Sequence, residues 1–153
     1  MTQQEASGGV DGWTHREREF TELLTNAPPG VRRYLLRSLV QLQPAPCCIH
    51  DNGEVLCANC VFLELAGWPD AIGHNLDEIA PRRRLPHVWQ RIAAGDVCAY
   101  DTVIRTARSG WRLVHIVPVA VTWDGHGARL ILVRSLARLR RVKWAAQSVS
   151  VPA

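Results

Sequence analysis

The chain has 153 residues, of which 47% are hydrophobic and 21% are charged, and its formal net charge is +4. A chain of this length is typical of one globular domain with short extensions, and it can bury roughly 70% of its unfolded surface unaided. It therefore needs neither disulfides nor a metal to fold. Its longest apolar run, residues 114–123, is interrupted by Pro118 and is shorter than the ~20 residues of a membrane span. The polar N-terminus lacks a signal-peptide pattern, so the sequence predicts a cytoplasmic protein without a membrane contact.

The positive charge is concentrated in the C-terminal third. Residues 105–153 carry nine Arg or Lys against Asp124 alone. In residues 137–153, arginines alternate with apolar residues at helical spacing, which predicts a basic C-terminal helix or tail. This segment could dock a partner or pair in a dimer, contact nucleic acid, or be an ordinary amphipathic end helix. We favour the first and third interpretations because the sequence shows no helix-turn-helix pattern.

The N-terminal residues divide into two segments. Residues 1–13 are poor in apolar side chains and are predicted to be disordered. Residues 14–43 are predicted to form an amphipathic helical extension, with a capping box at residues 14–17 and a second helix over residues 31–42. The apolar side of this extension must cover either the sheet of the domain or the same helix of a second copy. The candidate residues of a homodimer interface are Phe20, Leu23, Val31, Tyr34, Leu35 and Leu39.

From residue 44 onward, short apolar runs separated by turns predict strands and short helices. The Asn52-Gly53 pair predicts a tight hairpin turn, and Gly67 and Gly95 are placed to end helices. The predicted strands are residues 47–50, 54–58, 98–107, 111–123 and 129–136, and the predicted helices are residues 60–66 and 85–94. Residues 69–81 are predicted to form turns and short helical pieces.

This order of elements predicts an α+β domain. The last three strands are joined by hairpins and are therefore antiparallel, while the helices between the two strand groups must cross one face of the sheet. The strand over residues 111–123 is apolar on both of its faces. A sheet with one face in water would alternate apolar and polar residues, so both faces should be covered. The N-terminal helix is the available cover for the outer face.

Several short motifs in this region resemble those of one family. Residues 50–59, HDNGEVLCAN, resemble its opening hairpin and first helix start, and Gly67-Trp68 resembles its glycine-aromatic pair. Residues 71–79, AIGHNLDEI, resemble its next block, and residues 108–111, RSGW, resemble its later hairpin. Together these motifs are similar to those of a PAS domain over residues 44–136. Residues 133–136, VRSL, depart from the Asp-Ile-Thr with which a typical PAS domain ends and which joins it to an output helix.

The resemblance implies a PAS-like five-stranded antiparallel sheet with short helices on one face and a small pocket between them. Such domains serve in sensing, dimerisation or protein contact, and many act as adaptors without a ligand. In this chain the pocket would hold a small apolar or aromatic ligand. Its candidate lining residues are Trp89, Trp111, His115 and His87.

Two cofactors known from the family were considered. Flavin photochemistry needs a cysteine that attacks the flavin, and Leu76 occupies the matching position here, so we predict none. Haem is held in oxygen-sensing relatives by a histidine on the long helix. His87 lies on that helix, about one turn, or ~5.4 Å, too near Gly95. His87, His74 or Cys98 could hold the iron in a different geometry, so haem is possible but not favoured.

Four of the five cysteines cluster around the predicted hairpin. Cys57 and Cys60 have Cys-x-x-Cys spacing, and the hairpin should bring Cys47 or Cys48 across from Cys57. These thiols could hold zinc or an iron–sulfur cluster, or form a redox disulfide. Since strand residues alternate faces, only one of Cys47 and Cys48 can join, and cysteine is also a good small core residue.

The sequence lacks a nucleophile elbow, a Gly-rich phosphate loop and an HExxH motif, so we predict that the protein is not an enzyme. It is predicted to be a bacterial-type PAS sensory module for signal transduction, which forms a homodimer and regulates a separate signalling or transcriptional protein. One alternative is a transcription-related regulator whose basic C-terminus contacts nucleic acid. The other is a metal or redox sensor that uses the clustered cysteines.

Overall fold

The computed structural model describes residue 22 and residues 26–136 of the chain. Five strands form one antiparallel sheet in the order β2-β1-β5-β4-β3, which confirms the predicted α+β fold. The elements in chain order are helix α1 (Pro29–Leu42), strand β1 (Cys47–Asp51), strand β2 (Glu54–Ala58), helix α2 (Cys60–Ala66), a 3₁₀ helix (Leu76–Glu78), helix α3 (Pro86–Ala94), strand β3 (Tyr100–Thr106), strand β4 (Gly110–Trp123) and strand β5 (His126–Ser135).

The β1–β2 hairpin turns at Asn52 and Gly53, as predicted, with φ angles of 51° and 98°. Positive φ at both positions is what a two-residue turn of type I′ requires. The register then shifts by one residue between Ile49 and His50, so that His50 pairs with Val55 but Ile49 pairs with Cys57. This β-bulge was not predicted from the sequence, and it changes which side chains face each other farther along the hairpin.

Several element boundaries differ from the predicted ones by one to three residues, and two of these differences have a clear physical reason. Helix α1 begins at Pro29, within the segment expected to separate two helices. Proline suits the first helical turn because the missing N–H would have no helical partner there. Strand β5 begins at His126, three residues earlier than predicted, because Asp124 and Gly125 alone make the turn and Trp123 pairs with His126.

The inner face of the sheet is covered by α2, the 3₁₀ helix and α3. The core on this side, here called the inner core, includes the fully buried side chains of Phe62 and Leu85. Leu76 of the 3₁₀ helix and Val88 of α3 are also buried in it. The helices inserted between the two strand groups therefore lie on one face of the sheet, as predicted.

The outer face is covered by α1. Leu36, Leu39 and Val40 of this helix are at most 4% exposed and pack with Val117 of β4 and Leu130 of β5 in what is here called the outer core. This confirms the prediction that the N-terminal helix covers the outer face. Burial of one such side chain typically contributes about 1.5–3 kcal/mol. Helix α1 is therefore an integral part of the fold.

The position of Leu39 corrects one predicted dimer contact. Because Leu39 packs on the sheet, it is not available to a second copy, and half-buried Leu35 also contacts the outer core. Val31 and Tyr34 are 49% and 70% exposed. Phe20 and Leu23 lie outside the described residues, as do the predicted disordered segment, the capping box at residues 14–17 and the basic tail of residues 137–153.

Asn59 connects helix α2, strand β1 and the segment between α1 and β1. Its side-chain oxygen accepts hydrogen bonds from the backbone N–H of Phe62, which caps α2, and of Cys47 at the start of β1. Its amide group donates to the carbonyl oxygens of Gln43 and Ala45. The side chain is 1% exposed, so each of these bonds satisfies a backbone group that lies away from water.

Within the described part of the chain, no helix is long and apolar enough to cross a membrane.

Candidate functional site

A cavity of about 50 Å³ lies between α3 and the inner face of the sheet. Strand residues alternate faces, so every second residue of β3, β4 and β5 contributes to its wall. The wall is mostly apolar, and its apolar residues are Phe62, Leu76, Ile79, Ala80, Val88, Ile92, Ile104, Ile116, Pro118, Ile131 and Val133. The remaining lining residues are His50, Arg91, Asp96, Tyr100, Thr102 and Arg129.

His50 is a buried polar group in this wall, with only 1% of its surface exposed. Its Nδ1 accepts a hydrogen bond from the backbone N–H of Gly53 at 3.0 Å. A neutral imidazole carries one proton, so Nε2 is the donor. Burial, together with the nearby Arg129 charge, lowers the pKa of His50 to about 4. The Nε2–H has no hydrogen-bond partner among the described residues.

Arg129 lies directly across from His50 in the β1–β5 pairing. Its Nη1 donates to the carbonyl oxygen of Ala128 at 3.2 Å, while its Nε is buried without a hydrogen-bond partner. Its Nη2 lies 2.8 Å from where a Cβ atom on Gly95 would be, so the guanidinium contacts the C-terminal end of α3. No carboxylate in the described part of the chain forms an ion pair with it.

The other charged groups in the wall are paired. Arg91 forms an ion pair with Asp96 at 2.9 Å, and Asp96 also accepts a hydrogen bond from the backbone N–H of Cys98. The Arg91 guanidinium lies over the ring of Tyr100, 4.5 Å from its centroid. Burial raises the pKa of Tyr100 to about 12, so its hydroxyl remains protonated at neutral pH. The cavity therefore combines an apolar body with one unpaired positive charge.

The structure corrects the predicted lining at Trp89. The Trp89 indole N–H donates to the carbonyl oxygen of Ala80 at 2.7 Å, and its ring packs against Gly53 beneath the Arg82 guanidinium. Val88, Arg91 and Ile92 are the residues of α3 that line the cavity. Trp89 instead stabilises the contact between α3 and the β1–β2 hairpin.

Trp111 and His115 also lie outside the wall. His115 occupies the alternate phase of β4 from Val114 and Ile116, and Trp111 is partly buried against the inner core without lining the cavity. The His115 Nδ1 lies 2.7 Å from a carboxylate oxygen of Asp101, and Trp111 lies beneath the Arg105 guanidinium. The sequence showed which residues occupy β4 but not which phase of the strand faces inward, since both phases are apolar.

His87 lies at the edge of the cavity. Its Nε2 is 2.8 Å from the hydroxyl oxygen of Thr102, which lines the cavity, but the imidazole itself is not part of the wall. Burial, and the positive charge of Arg91, lower the pKa of His87. His87 can therefore orient the Thr102 hydroxyl without contacting a molecule in the cavity.

The β-bulge separates the cysteines that were expected to converge. Cys57 faces Ile49 and Cys48 faces Ala58, so the prediction that Cys47 or Cys48 lies across from Cys57 was wrong. Cys48 is in the inner core, Cys47 and Cys57 are in the outer core, and Cys60 is exposed. Burial raises the pKa of both Cys48 and Cys57, which disfavours the thiolate that binds metals. Among the described residues, no group of three or more His, Cys, Asp or Glu could hold a metal ion.

The size of the cavity bears on the two cofactors considered from the sequence. Sites for drug-sized ligands enclose roughly 300–1,000 Å³. A cavity of about 50 Å³ does not accommodate haem or a flavin. Leu76, at the position where flavin photochemistry would need a thiol, does line the cavity.

An open cleft of about 280 Å³ lies beside the cavity and shares the wall residues His50, Ile92 and Arg129 with it. These three side chains therefore separate the cavity from the cleft. A second groove of about 310 Å³, lined by Val61, Leu65 and Arg112 among others, shares only Val133 with the cavity.

The chain is similar in fold to several solved PAS domains. A PAS domain from Desulfitobacterium hafniense matches with a TM-score of 0.57 at 11% identity, covering 65% of this chain and 99% of that one. The PAS domain of an HTR-like protein from Haloarcula marismortui matches with a TM-score of 0.54 at 15% identity, covering 78% and 97%.

A PAS domain from a two-component sensor histidine kinase matches with a TM-score of 0.56 at 15% identity, covering 71% of this chain and 99% of that one. The chain has a PAS fold. The cavity lies between the sheet and the helices of this PAS fold, where the sequence resemblance implied a pocket. No family model and no curated protein matches the sequence.

Proposed function

We propose that this PAS domain is a non-catalytic sensory module that binds a small molecule in the cavity and passes its state to a separate partner protein. The observation that carries the proposal is the cavity itself, with an apolar wall and two polar groups at one end, His50 Nε2 and Arg129 Nε, that have no hydrogen-bond partner among the described residues. The fold it shares with a PAS domain from a sensor histidine kinase supports the sensory role.

The two faces of the sheet offer a physical route from the cavity to the surface. In β4, Ile116 lines the cavity while the next residue, Val117, packs beneath α1. In β5, Ile131 lines the cavity, and the preceding residue, Leu130, packs beneath α1. A ligand that displaces these strands therefore changes the surface on which α1 packs. Helix α1 is accordingly the element through which we propose that the bound state is transmitted.

Ligand binding is tested by filling the cavity with a larger side chain. A library of small organic compounds is screened by amide chemical-shift changes of the full chain, and binding compounds are re-measured against Ile116→Phe. We expect shift changes around the cavity that the Ile116→Phe variant loses. Thr122→Phe, which adds the same ring at an exposed position of β4, should retain them. Equal binding by a folded Ile116→Phe variant would contradict the proposed site.

We also propose that two copies of the chain pair through the exposed side of α1. Val31, Tyr34 and Leu42 are 49%, 70% and 75% exposed, and they lie with Leu35 on one side of the helix, next to the buried side. Several large apolar side chains exposed along one helix are typical of an interaction surface. A second copy presents the same surface, as a symmetric dimer interface requires.

Light scattering of the full chain at several concentrations tests the dimer. The double substitution Tyr34→Glu with Leu42→Glu should halve the mass, because it places charges in the proposed interface. Ile72→Glu, at an apolar residue that is 83% exposed in a loop, is the matched control and should leave the mass unchanged. An unchanged mass in the double variant would rule out this interface. Deletion of residues 1–43 is unsuitable because it would uncover the outer core.

The remaining sequence-based interpretations stay predictions. A nucleic-acid contact through residues 137–153 falls outside the described residues. The cytoplasmic location and the identity of a signalling or transcriptional partner likewise rest on the sequence alone.

A further inference from the structure

The polar end of the cavity indicates the chemical class of the ligand. Resting on the proposed function, we infer that the ligand is a small monocarboxylate whose carboxylate group binds the Arg129 guanidinium and the His50 Nε2–H. Its short hydrocarbon tail lies in the apolar body of the cavity. The inference comes from the hydrogen-bonding capacity that the protein leaves unused at this end.

Arg129 supplies the charge. A guanidinium presents five N–H donors, and within the described part of the chain this one makes a single hydrogen bond, to the carbonyl oxygen of Ala128. Its Nε is buried without a partner. The residue as a whole is half-buried, and a charge partly removed from water still gains from an opposite charge or further hydrogen bonds. A carboxylate matches the planar fork of the guanidinium and supplies both.

His50 supplies a directed neutral donor. Because Gly53 donates to Nδ1, the imidazole can only donate from Nε2, so it selects a ligand atom that accepts a hydrogen bond. His50 and Arg129 are cross-strand partners, and such side chains have Cβ atoms about 4.5–5.5 Å apart. Both donors are therefore available to the two oxygens of one carboxylate. A protonated amine, which offers donors only, would leave both unmatched.

The surrounding charges do not oppose an anion. Asp96 is the one acidic residue in the described cavity wall, and it is paired with Arg91 and held by the backbone N–H of Cys98. The wall therefore carries one net positive charge, on Arg129. In the adjoining cleft Asp51 is the acidic residue, but no described ion pair joins it to Arg129.

The volume and the position of the two donors set the size and orientation of the ligand. An apolar cavity of ~150 Å³ engineered in another protein binds benzene. The cavity here, at about 50 Å³, has a third of that volume, so the hydrocarbon tail of the ligand must be short. Arg129 and His50 lie on the side shared with the open cleft. A carboxylate bound to them leaves the tail pointing toward Ile104, Ile116 and Ile131, at the apolar end.

Sodium propionate and propionamide form a matched pair of probes, since they have the same size and differ in charge. Both are titrated into the full chain at constant ionic strength and followed by amide chemical shifts. We expect propionate to bind at least about tenfold more tightly, because a hydrogen bond to a charged group is worth about one order of magnitude or more in affinity. Arg129→Gln should remove this preference, and Arg129→Lys should retain it at reduced affinity. Arg134→Gln, on the same strand but outside the cavity wall, should behave as the wild type.

The outcomes separate this inference from the proposed function. Equal binding of propionate and propionamide, or an unchanged preference in Arg129→Gln, would overturn the carboxylate inference while the cavity remains a ligand site. Failure of propionate to bind, with library compounds still lost in Ile116→Phe, would also overturn the inference alone. If neither the probes nor any library compound binds, both fail. If Arg129→Gln does not fold, Arg129→Lys provides the test. Equal binding of propionate and propionamide by Arg129→Lys, which keeps the positive charge, would then overturn the inference.

Discussion

The backbone N–H of Gly53 donates a hydrogen bond to Nδ1 of His50 at 3.0 Å. This bond joins the turn of the β1–β2 hairpin to the wall of the cavity. It fixes which imidazole nitrogen carries the proton, and so makes His50 a hydrogen-bond donor toward the cavity. The sequence predicts the Asn52-Gly53 turn from its backbone requirements. The same turn also determines which nitrogen of His50 can donate a hydrogen bond in the candidate site.

Gly53→Ala should destabilise the protein by about 3 kcal/mol. A Cβ atom at this position would lie 2.4 Å from the Cη2 atom of Trp89, and the φ angle of +98° is unfavourable for a side chain. Denaturant unfolding followed by tryptophan fluorescence measures the loss. Gly125→Ala is the control, because its φ angle is +80° but no atom lies within 4 Å of its Cβ position. Equal losses in the two variants would show that contact with Trp89 has no role.

His50 should make the free energy of unfolding fall at acid pH. Its pKa is about 4 in the folded chain, against 6.5 for an ordinary histidine, so the unfolded chain binds more protons between these values. Stability contributed by the neutral imidazole is complete above pH 6.5 and decreases by about 3 kcal/mol as the pH falls to 4. His50→Gln lacks this component.

The measurement is denaturant unfolding of wild type and His50→Gln between pH 7 and pH 4. The difference between the two proteins isolates His50 from the carboxylates, which titrate in both. We expect the wild type to lose stability relative to the variant as the pH is lowered. His126→Gln, at an exposed position at the start of β5, should follow the wild type. If the difference in free energy of unfolding between wild type and His50→Gln does not change with pH, the lowered pKa of His50 is contradicted.

Asn59→Ala should cost about 3 kcal/mol or more. It removes the hydrogen bonds that Asn59 makes with the carbonyl oxygens of Gln43 and Ala45 and with the N–H of Cys47, and each buried bond lost in this way costs about 1–3 kcal/mol before relaxation. Asn26→Ala removes a single exposed bond to Glu22 and should change stability by less than about 0.5 kcal/mol. Urea unfolding of the two variants measures the loss of stability. A similar loss in Asn59→Ala and Asn26→Ala would refute a central role for Asn59.

Leu36→Ala should cost about 3 kcal/mol because it opens a cavity in the outer core, where Leu36 is 1% exposed. Leu42→Ala, at a leucine of the same helix that is 75% exposed, should change the stability of the monomer very little. Thermal unfolding at low protein concentration compares the two. Similar melting temperatures would show that α1 does not stabilise the sheet.

Much of the fold could be predicted because its signals are local. The Asn52-Gly53 turn, the helix ended by Gly67 and the apolar phases of β4 each follow from a few adjacent residues. The bulge at Ile49 and His50 could not be predicted, because a register shift depends on how two strands pair and pack. Neither strand contains a local sequence signal for it. The prediction that Cys47 or Cys48 lies across from Cys57 was wrong for this reason.

The polar end of the site was missed because its two residues meet only through tertiary structure. His50 and Arg129 are about eighty positions apart and become neighbours when β5 pairs with β1 in the centre of the sheet. His50 lies in the motif that resembles a PAS hairpin, and Arg129 lies in a strand with other basic residues nearby. The alternation of β5 does place Arg129, Ile131 and Val133 on one face, and this was the available signal.

The central claim, that a small molecule binds between α3 and the sheet, is tested most directly by locating a bound ligand. Sodium propionate labelled with carbon-13, or a library compound that binds, is added to the full chain, and nuclear Overhauser effects to isoleucine methyl groups are recorded. We expect contacts with Ile104, Ile116 and Ile131, which line the cavity from three strands. Contacts with Val61 and Leu65 of the other groove instead, or no contact with the three isoleucines, would contradict the claim.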